Sequence, residues 1–301
     1  MRLIILSNRL QVTVTEGNGK LVFEPSAGGL ATGIKSWLSD LNDIDYLWVG
    51  WPGGGPYSDQ PDLRELLHEK YNSHPVFVEE KNMDLFYHGF CNKTLWPLFH
   101  YFPSLTVFDE QLWENYREVN RRFADEVLGI LRDGDVLWIH DYHFLLVAAM
   151  IKKERPEIPV GLFLHIPFPT FEIFRLLPRK WGKEILSGML GADLVGFHTY
   201  DFMHYFLRCV LRIMGLNHDM GVVDLGHKYT RVGAFPMGIN FEKYSGASHI
   251  SSVKKERDLL DKEFRTLKVI FSVDRQDYTK GILNRLEGFE LFLEKNPFWR
   301  G

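Results

Sequence analysis

Residues 135–141 read DVLWIHD, four apolar side chains in a row closed by a histidine and an aspartate. Just before them, from about residue 111 to 132, Tyr116, Val119, Phe123, Val127, Ile130 and Leu131 recur at three- and four-residue spacing. That spacing predicts a helix with one apolar face, and the Asp133-Gly134 pair that follows predicts its end and the delivery of the next element. A helix, a glycine turn and a near-continuous apolar strand together form the unit of a parallel sheet covered on both faces. Outward from it, seven further runs share the form: RLIILSNR (2–9), DYLWVGW (45–51), HPVFVEE (74–80), PVGLFLHIP (159–167), DLVGFHT (193–199), RVGAFPMG (231–238) and LKVIFSVD (267–274). Helical patterns fall near residues 30–41, 144–155, 181–190 and 201–214. The expected class is α/β, a Rossmann-like domain with a mostly parallel sheet.

The Pro/Gly turn FPMGIN (235–240) marks the expected domain boundary,. Residues 1–238 form the first domain in this reading, and residues 239–301 open a second. The run 267–274 is expected to be a buried strand, with a helix over 280–293 behind it. One strand and one helix cannot bury their own apolar faces. The chain is therefore expected to be an incomplete piece that carries one full domain and the start of another, and to be inactive alone.

Composition narrows the function classes. The chain has 301 residues, 45% of them hydrophobic and 14% aromatic, which suits a soluble protein with a large core,. A net charge of −4 without a basic block argues against nucleic acid or an anionic membrane as the main partner,. No stretch approaches the eighteen or so apolar residues of a membrane span and no leader pattern opens the chain. Cys91 and Cys209 are too far apart in sequence to suggest a framework or a metal cluster, and read as free thiols,. A cytoplasmic location follows, and homo-oligomerisation stays open.

Ligands of an open parallel sheet bind beyond the carboxyl ends of its strands. The residues at those ends are Asn8 and Arg9, Gly50 and Trp51, His140 and Asp141, His165, His198, and Asp274 and Arg275. SAGGLATGIKSWL (26–38) places Gly28 and Gly29 before a helical pattern, where a backbone can approach a phosphate or merely turn tightly. Its GGxxxG spacing is not the dinucleotide fingerprint, so a nicotinamide enzyme is disfavoured. HDYH (140–143) suggests metal ligation, but no cysteine or Glu-x-x-His partner lies nearby, so neither metal nor cofactor is expected. Asp141 can instead accept hydrogen bonds from sugar hydroxyls. FYHGFCNKTLWPLFHY (86–101) is too irregular for a surface helix. Core packing explains most of it, while Tyr87 and Trp96 combine an apolar face with a polar tip suited to a pyranose. In SVDRQDYTKG (272–281), Arg275 and Lys280 read either as a clamp for a diphosphate or as ordinary surface charge.

Taken together, SNR (7–9), SAGGLATG (26–33), LWPLFHY (95–101), WIHDYH (138–143), FLHIPFPT (163–170), EIFRLLP (172–178) and SVDRQDYTKG (272–281) closely resemble the trehalose-6-phosphate synthase family, retaining glycosyltransferases of the GT-B fold. The resemblance covers essentially the whole chain. It implies transfer of glucose from UDP-glucose to glucose 6-phosphate. By matching position it implies that Arg9 and Tyr87 meet the acceptor, Asp141 holds its hydroxyls and Trp96 walls it, with Trp51 close by. Gly28 and Gly29 would approach the phosphates of the nucleotide sugar, His165 would lie over the donor glucose, and Arg275 and Lys280 would neutralise the departing diphosphate. Two positions depart from the pattern: Gln276 stands where leucine is usual, and Asn240 where aspartate is common. A related synthase using another acceptor, such as glycerol 3-phosphate, and a non-catalytic regulatory subunit that binds sugar phosphates both remain open at this point.

Overall fold

The computed structural model describes residues 1–17, 20–26, 28–40, 44–53 and 61–300. Ala27 of the glycine-rich segment, Leu41 at the expected end of the first helix, and Gly301 lie outside the described residues. Two compact units are present, Met1–Gly238 and Ile239–Gly301.

Among the described residues, the first unit has eleven strands: β1 (Arg2–Arg9), β2 (Val12–Gly17), β3 (Lys20–Pro25), β4 (Asp45–Trp51), β5 (Ser73–Pro75), β6 (Val136–His140), β7 (Val160–Leu164), β8 (Leu194–Phe197), β9 (His218–Asp219), β10 (Val222–Asp224) and β11 (Tyr229–Ala234). Nine of them form one sheet in the order β5-β4-β1-β6-β7-β8-β11-β10-β9, and β2 pairs with β3 as a separate hairpin. All neighbours from β5 to β11 are parallel, and β10 and β9 add an antiparallel edge.

The helices are α1 (Gly29–Asp40), α2 (Pro61–Tyr71), α3 (Glu80–Met83), α4 (Trp96–Phe99), α5 (Glu110–Ile130), α6 (Val147–Glu154), α7 (Phe171–Phe174), α8 (Arg179–Leu190) and α9 (Tyr200–Met214). Successive residues of the central strands point to opposite sides. Ile4 and Leu6 of β1 and Leu47 and Val49 of β4 join the larger core, whereas Ile5 and Trp48 join a smaller one with Val12, Val14, Ile34, Leu63 and Leu67. Double-sided burial is why these strands read as continuous apolar runs.

Local chemistry sets the ends of α5. The Asp109 carboxylate accepts from the N–H groups of Gln111 and Leu112, and Trp113, Tyr116, Val119, Phe123 and Val127 are buried along one face. Beyond it, Gly134 takes φ +82°, and Asp135 accepts from Arg2 at 2.7 Å and from the Arg132 N–H at 2.8 Å. Burial alone would raise the Asp135 carboxyl, but these donors outweigh it and leave it lowered. The start of β1 is thereby tied to the turn that feeds β6.

Two expected elements differ in detail. Of HPVFVEE, only His74 and Pro75 join the sheet, as part of the edge strand Ser73–Pro75; Pro75 itself has no N–H to give the ladder. The aromatic segment, excluded above as a surface helix, is a largely buried helical stretch over Asp84–Leu95 that kinks at Gly89 (φ −81°, ψ −105°) and runs into α4. Its buried residues, Phe86, Gly89, Phe90, Cys91, Thr94 and Leu95, follow no single helical period because the backbone kinks at Gly89,. Measured against a 3.6-residue period, such a pattern looks irregular.

The second unit contains α10 (Phe241–Gly246), α11 (Ser251–Glu263) and α12 (Ile282–Lys295). Asn240 caps α10 by accepting from the Lys243 N–H at 2.9 Å, the same service an aspartate would perform. The strand expected at 267–274 is not formed. Val269, Ile270 and Phe271 are 61%, 74% and 83% exposed. A strand is stabilised by neighbours on either side, and no other strand occurs among the described residues of this unit,.

Candidate functional site

In sequence order the strands run from β1 outward through β4 to β5, then return to place β6 on the other side of β1. This reversal is the topological switch point, where an open α/β sheet leaves a crevice beyond its carboxyl ends. Arg9 closes β1, and Asp141 follows β6 directly.

Asp141 combines a strained backbone with a perturbed side chain. Its backbone sits at φ +73°, ψ 176°, a region that costs a residue with a side chain on the order of 1–3 kcal/mol. Oδ1 accepts from the backbone N–H of His165 at 3.2 Å. Burial pushes the carboxyl up to about 7, against the hydrogen bonds from the Tyr142 and His165 backbone. Strain, burial and a perturbed carboxyl at a sheet mouth point to function.

The histidines flanking Asp141 have separate partners. His140 is fully buried, and its Nδ1 lies 3.0 Å from His165 Nε2. His143 lies in the short turn after Asp141 and stacks on the Tyr87 ring, with centroids 5.7 Å apart and planes within 10°. The two imidazoles serve different neighbours instead of chelating. Among the described residues, no three His, Cys, Asp or Glu side chains gather as metal ligands. Burial, then the charges of Arg9 and His165, push the His143 imidazole down to about 3. Burial, then His198, does the same for His165. Neutral imidazoles are thus ranged beside Asp141.

Arg9 lies over the Trp51 ring at 5.1 Å, and the two residues pair across β1 and β4. Gly50 permits that approach, because a Cβ there would stand 2.7 Å from the Arg9 carbonyl carbon. Trp48 Nε1 donates to Ser7 Oγ at 2.8 Å, and Ser7 Oγ donates to the Arg9 carbonyl at 2.7 Å, which steadies the strand end beneath the guanidinium. Trp96 opens α4 and packs on Tyr142, with centroids 5.8 Å apart. Tyr142 in turn donates to Asn92 at 3.1 Å. Gly28 takes φ +148° just before α1, and a Cβ at Gly28 or Gly29 would meet nothing within 4 Å. The backbone there is open to a ligand.

Arg275 and Lys280 belong to the second unit, where both are exposed. Lys280 ends a short turn capped by Asp277, and Gly281 at φ +58° starts α12. Arg285 also enters this turn, donating to Asp274 at 2.7 Å and to the Lys280 carbonyl at 3.3 Å.

Sequence reasoning weighed His143 only as a metal ligand. Its position two residues after Asp141 was the available signal, but the stacking partner, Tyr87, is brought in from a distant helix. Ser7 and Trp48, which brace Arg9, left no sequence signal beyond an apolar strand. Cys91 and Cys209 are buried and free. No helix among the described residues is long and apolar enough to cross a membrane.

Comparison with known proteins places this geometry. Residues 1–301 match the model of glycosyltransferase family 20. A bifunctional trehalose-6-phosphate synthase/phosphatase of Thermoproteus tenax is 45% identical over 100% of this chain and 41% of its own length. Two solved structures superpose with a TM-score of 0.83. A trehalose-6-phosphate structure from E. coli bound with UDP-2-fluoro glucose is 34% identical, over 100% of this chain and 63% of its own. A UDP-forming alpha,alpha-trehalose-phosphate synthase from Burkholderia xenovorans in complex with glucose-6-phosphate is 29% identical, over 100% and 64%. The chain thus spans less than two thirds of the length of these relatives. Its sheet order and its match along the whole sequence agree: the chain belongs to glycosyltransferase family 20.

Proposed function

We propose that the chain belongs to a retaining glucosyltransferase that moves glucose from UDP-glucose to glucose 6-phosphate, giving trehalose 6-phosphate and UDP. The observation that carries this reading is Asp141, a half-buried and strained carboxyl at the switch point, next to the neutral imidazoles and directly after the strand beside the one that Arg9 ends. A polyol can supply several hydroxyl donors to such a carboxylate, and a neighbouring cation suits a phosphate ester. Residues 1–238 form the acceptor domain in this proposal, and residues 239–301 belong to the nucleotide-sugar side. Arg9 and Tyr87 hold the acceptor, Trp51 and Trp96 line it, and Asp141 orients its hydroxyls. Gly28 and Gly29 approach the donor phosphates, His165 lies over the donor glucose, and Arg275 with Lys280 neutralises the leaving diphosphate.

The acceptor hydroxyl oxygen bonds to the anomeric carbon as the bond to the phosphate oxygen breaks, on the same face, and the hydroxyl proton passes to that phosphate. No carboxylate nucleophile is required, so positioning and charge stabilisation supply the catalysis. Two free thiols suit a cytoplasmic location,. Calorimetric titration with glucose 6-phosphate and with UDP-glucose tests the reading. Saturable binding of glucose 6-phosphate, weakened about tenfold or more by Arg9→Ala, is expected; no heat from any sugar phosphate would overturn it.

A further inference from the structure

We propose that His140 is the positioning residue that fixes the tautomer of His165, so that His165 presents its Nδ1–H at the rim of the sheet to an oxygen of the bound substrate. The inference deepens the reading above and rests on it only for the identity of that substrate.

The pairing of His140 with Phe163 across β6 and β7 sets the distance. His165 follows two residues after Phe163, and its Nε2 comes to rest 3.0 Å from His140 Nδ1. Burial, with each ring's histidine neighbour adding, lowers both imidazoles from their usual value, so both rings are neutral. One hydrogen is then shared between the two facing nitrogens, and only two arrangements exist.

In the first, His165 Nε2–H donates to His140 Nδ1. The hydrogen of His140 must then sit on Nε2, which is buried with no partner among the described residues in a ring packed against Trp138 at 4.3 Å. That leaves an orphan N–H in the core. In the second, His140 Nδ1–H donates to His165 Nε2, and the buried His140 Nε2 is a bare lone pair. Orphan buried N–H groups are rarer than under-satisfied acceptors, so the second arrangement is favoured. It places the hydrogen of His165 on Nδ1, in a partly exposed ring steadied by Phe163 at 4.6 Å and His198 at 5.4 Å. Which nitrogen of a histidine is protonated is set by the hydrogen bond that the other makes. Here that bond comes from His140, out of reach of any ligand.

Nitrogen-15 imidazole spectra of the 301-residue chain, assigned with His165→Ala, test this directly. In the unsubstituted chain both His140 and His165 are expected to show a protonated Nδ1 and a bare Nε2. His140→Asn, whose amide N–H replaces the Nδ1–H, is expected to keep His165 in that form. His140→Leu is expected to release it to the Nε2–H form that free imidazoles favour. A protonated Nε2 on His165 in the unsubstituted chain would overturn the proposal even if every variant failed to fold, as would a tautomer unmoved by His140→Leu. Titration of the same sample with UDP-glucose and glucose 6-phosphate separates the two claims. Expected tautomers with no response to either compound would uphold the role of His140 and overturn the substrate assignment alone.

Discussion

DVLWIHD in the first unit and LKVIFSVD in the second have much the same composition, and each ends on an aspartate. The first becomes β6, with Leu137 and Ile139 sealed between β1 and β7. The second stays irregular and largely exposed. Apolar content is shared, so it cannot be what makes the strand. A strand buries its side chains only when others lie beside it and helices cover both faces, and β6 has all of these. Asp141 shows the further consequence: a strained carboxyl with a raised pKa persists only where the surrounding fold over-determines it,. Asp274, at the corresponding end of the other run, makes an ion pair with Arg285 at a partly exposed site.

The strongest way to break this contrast is a methyl group. Gly191 ends α8 at φ −60°, which suits any residue, but a Cβ there would overlap the backbone of Ala148 and Ala149. Gly191→Ala is expected to destabilise the first unit by about 3 kcal/mol or more in chemical denaturation. Gly288→Ala in α12 meets nothing within 4 Å, and is expected to stabilise its helix by up to about 1 kcal/mol. A tolerated alanine at 191 would mean that the two units differ less in packing than drawn here.

A smaller effect with an informative sign is expected at Asp141. Asp141→Gly removes both the strain and the raised carboxyl, and is expected to raise stability by roughly 1–2 kcal/mol after the added chain entropy of glycine. Heat from glucose 6-phosphate should be lost in the same variant. A carboxyl raised in the folded state contributes stability that is complete below its ordinary value of 3.8 and lost as pH rises through about 7,. The gain should therefore be largest above neutrality. Asp274→Gly, which touches only a partly exposed ion pair, should stay within about 1 kcal/mol.

The smallest expected effect is at Glu126. Hydrogen bonding from His74, followed by Arg64, draws this carboxylate down to about 2 despite partial burial. Its contribution is present above the ordinary value of 4.5 and lost as pH falls toward about 2. For a half-exposed cluster it amounts to under about 1 kcal/mol. Denaturation midpoints across that window should fall in the parent chain and flatten in Glu126→Gln.

Much of the first unit was legible because its local signals agree. The helix expected over 111–132 is observed over Glu110–Ile130, as its apolar period and its glycine exit required. The strands near β1, β4, β6, β7 and β8 were visible as apolar runs because both faces are largely covered, and β11 was visible although one of its faces is exposed. The segment around Tyr87 was not, since wide helical turns and a kink at Gly89 break the period,. Arg9, Asp141 and His165 could be singled out as strand-end residues, for a reason that needs no coordinates: strand ends are where open sheets expose function.

Partnership was the illegible part. Nothing in the spacing of HDYH says that His140 meets His165 while His143 stacks on Tyr87, because those contacts depend on strand order and register. By itself the sequence determined the α/β class, the apolar runs able to become strands and the polar residues at their ends, since these follow from periodicity and side-chain chemistry. Only the tertiary structure decided which runs became strands, which carboxyl is strained and raised, and which imidazole faces which. Burial and hydrogen bonding at these sites are supplied by residues distant in the chain, and those distances are set when the sheet closes.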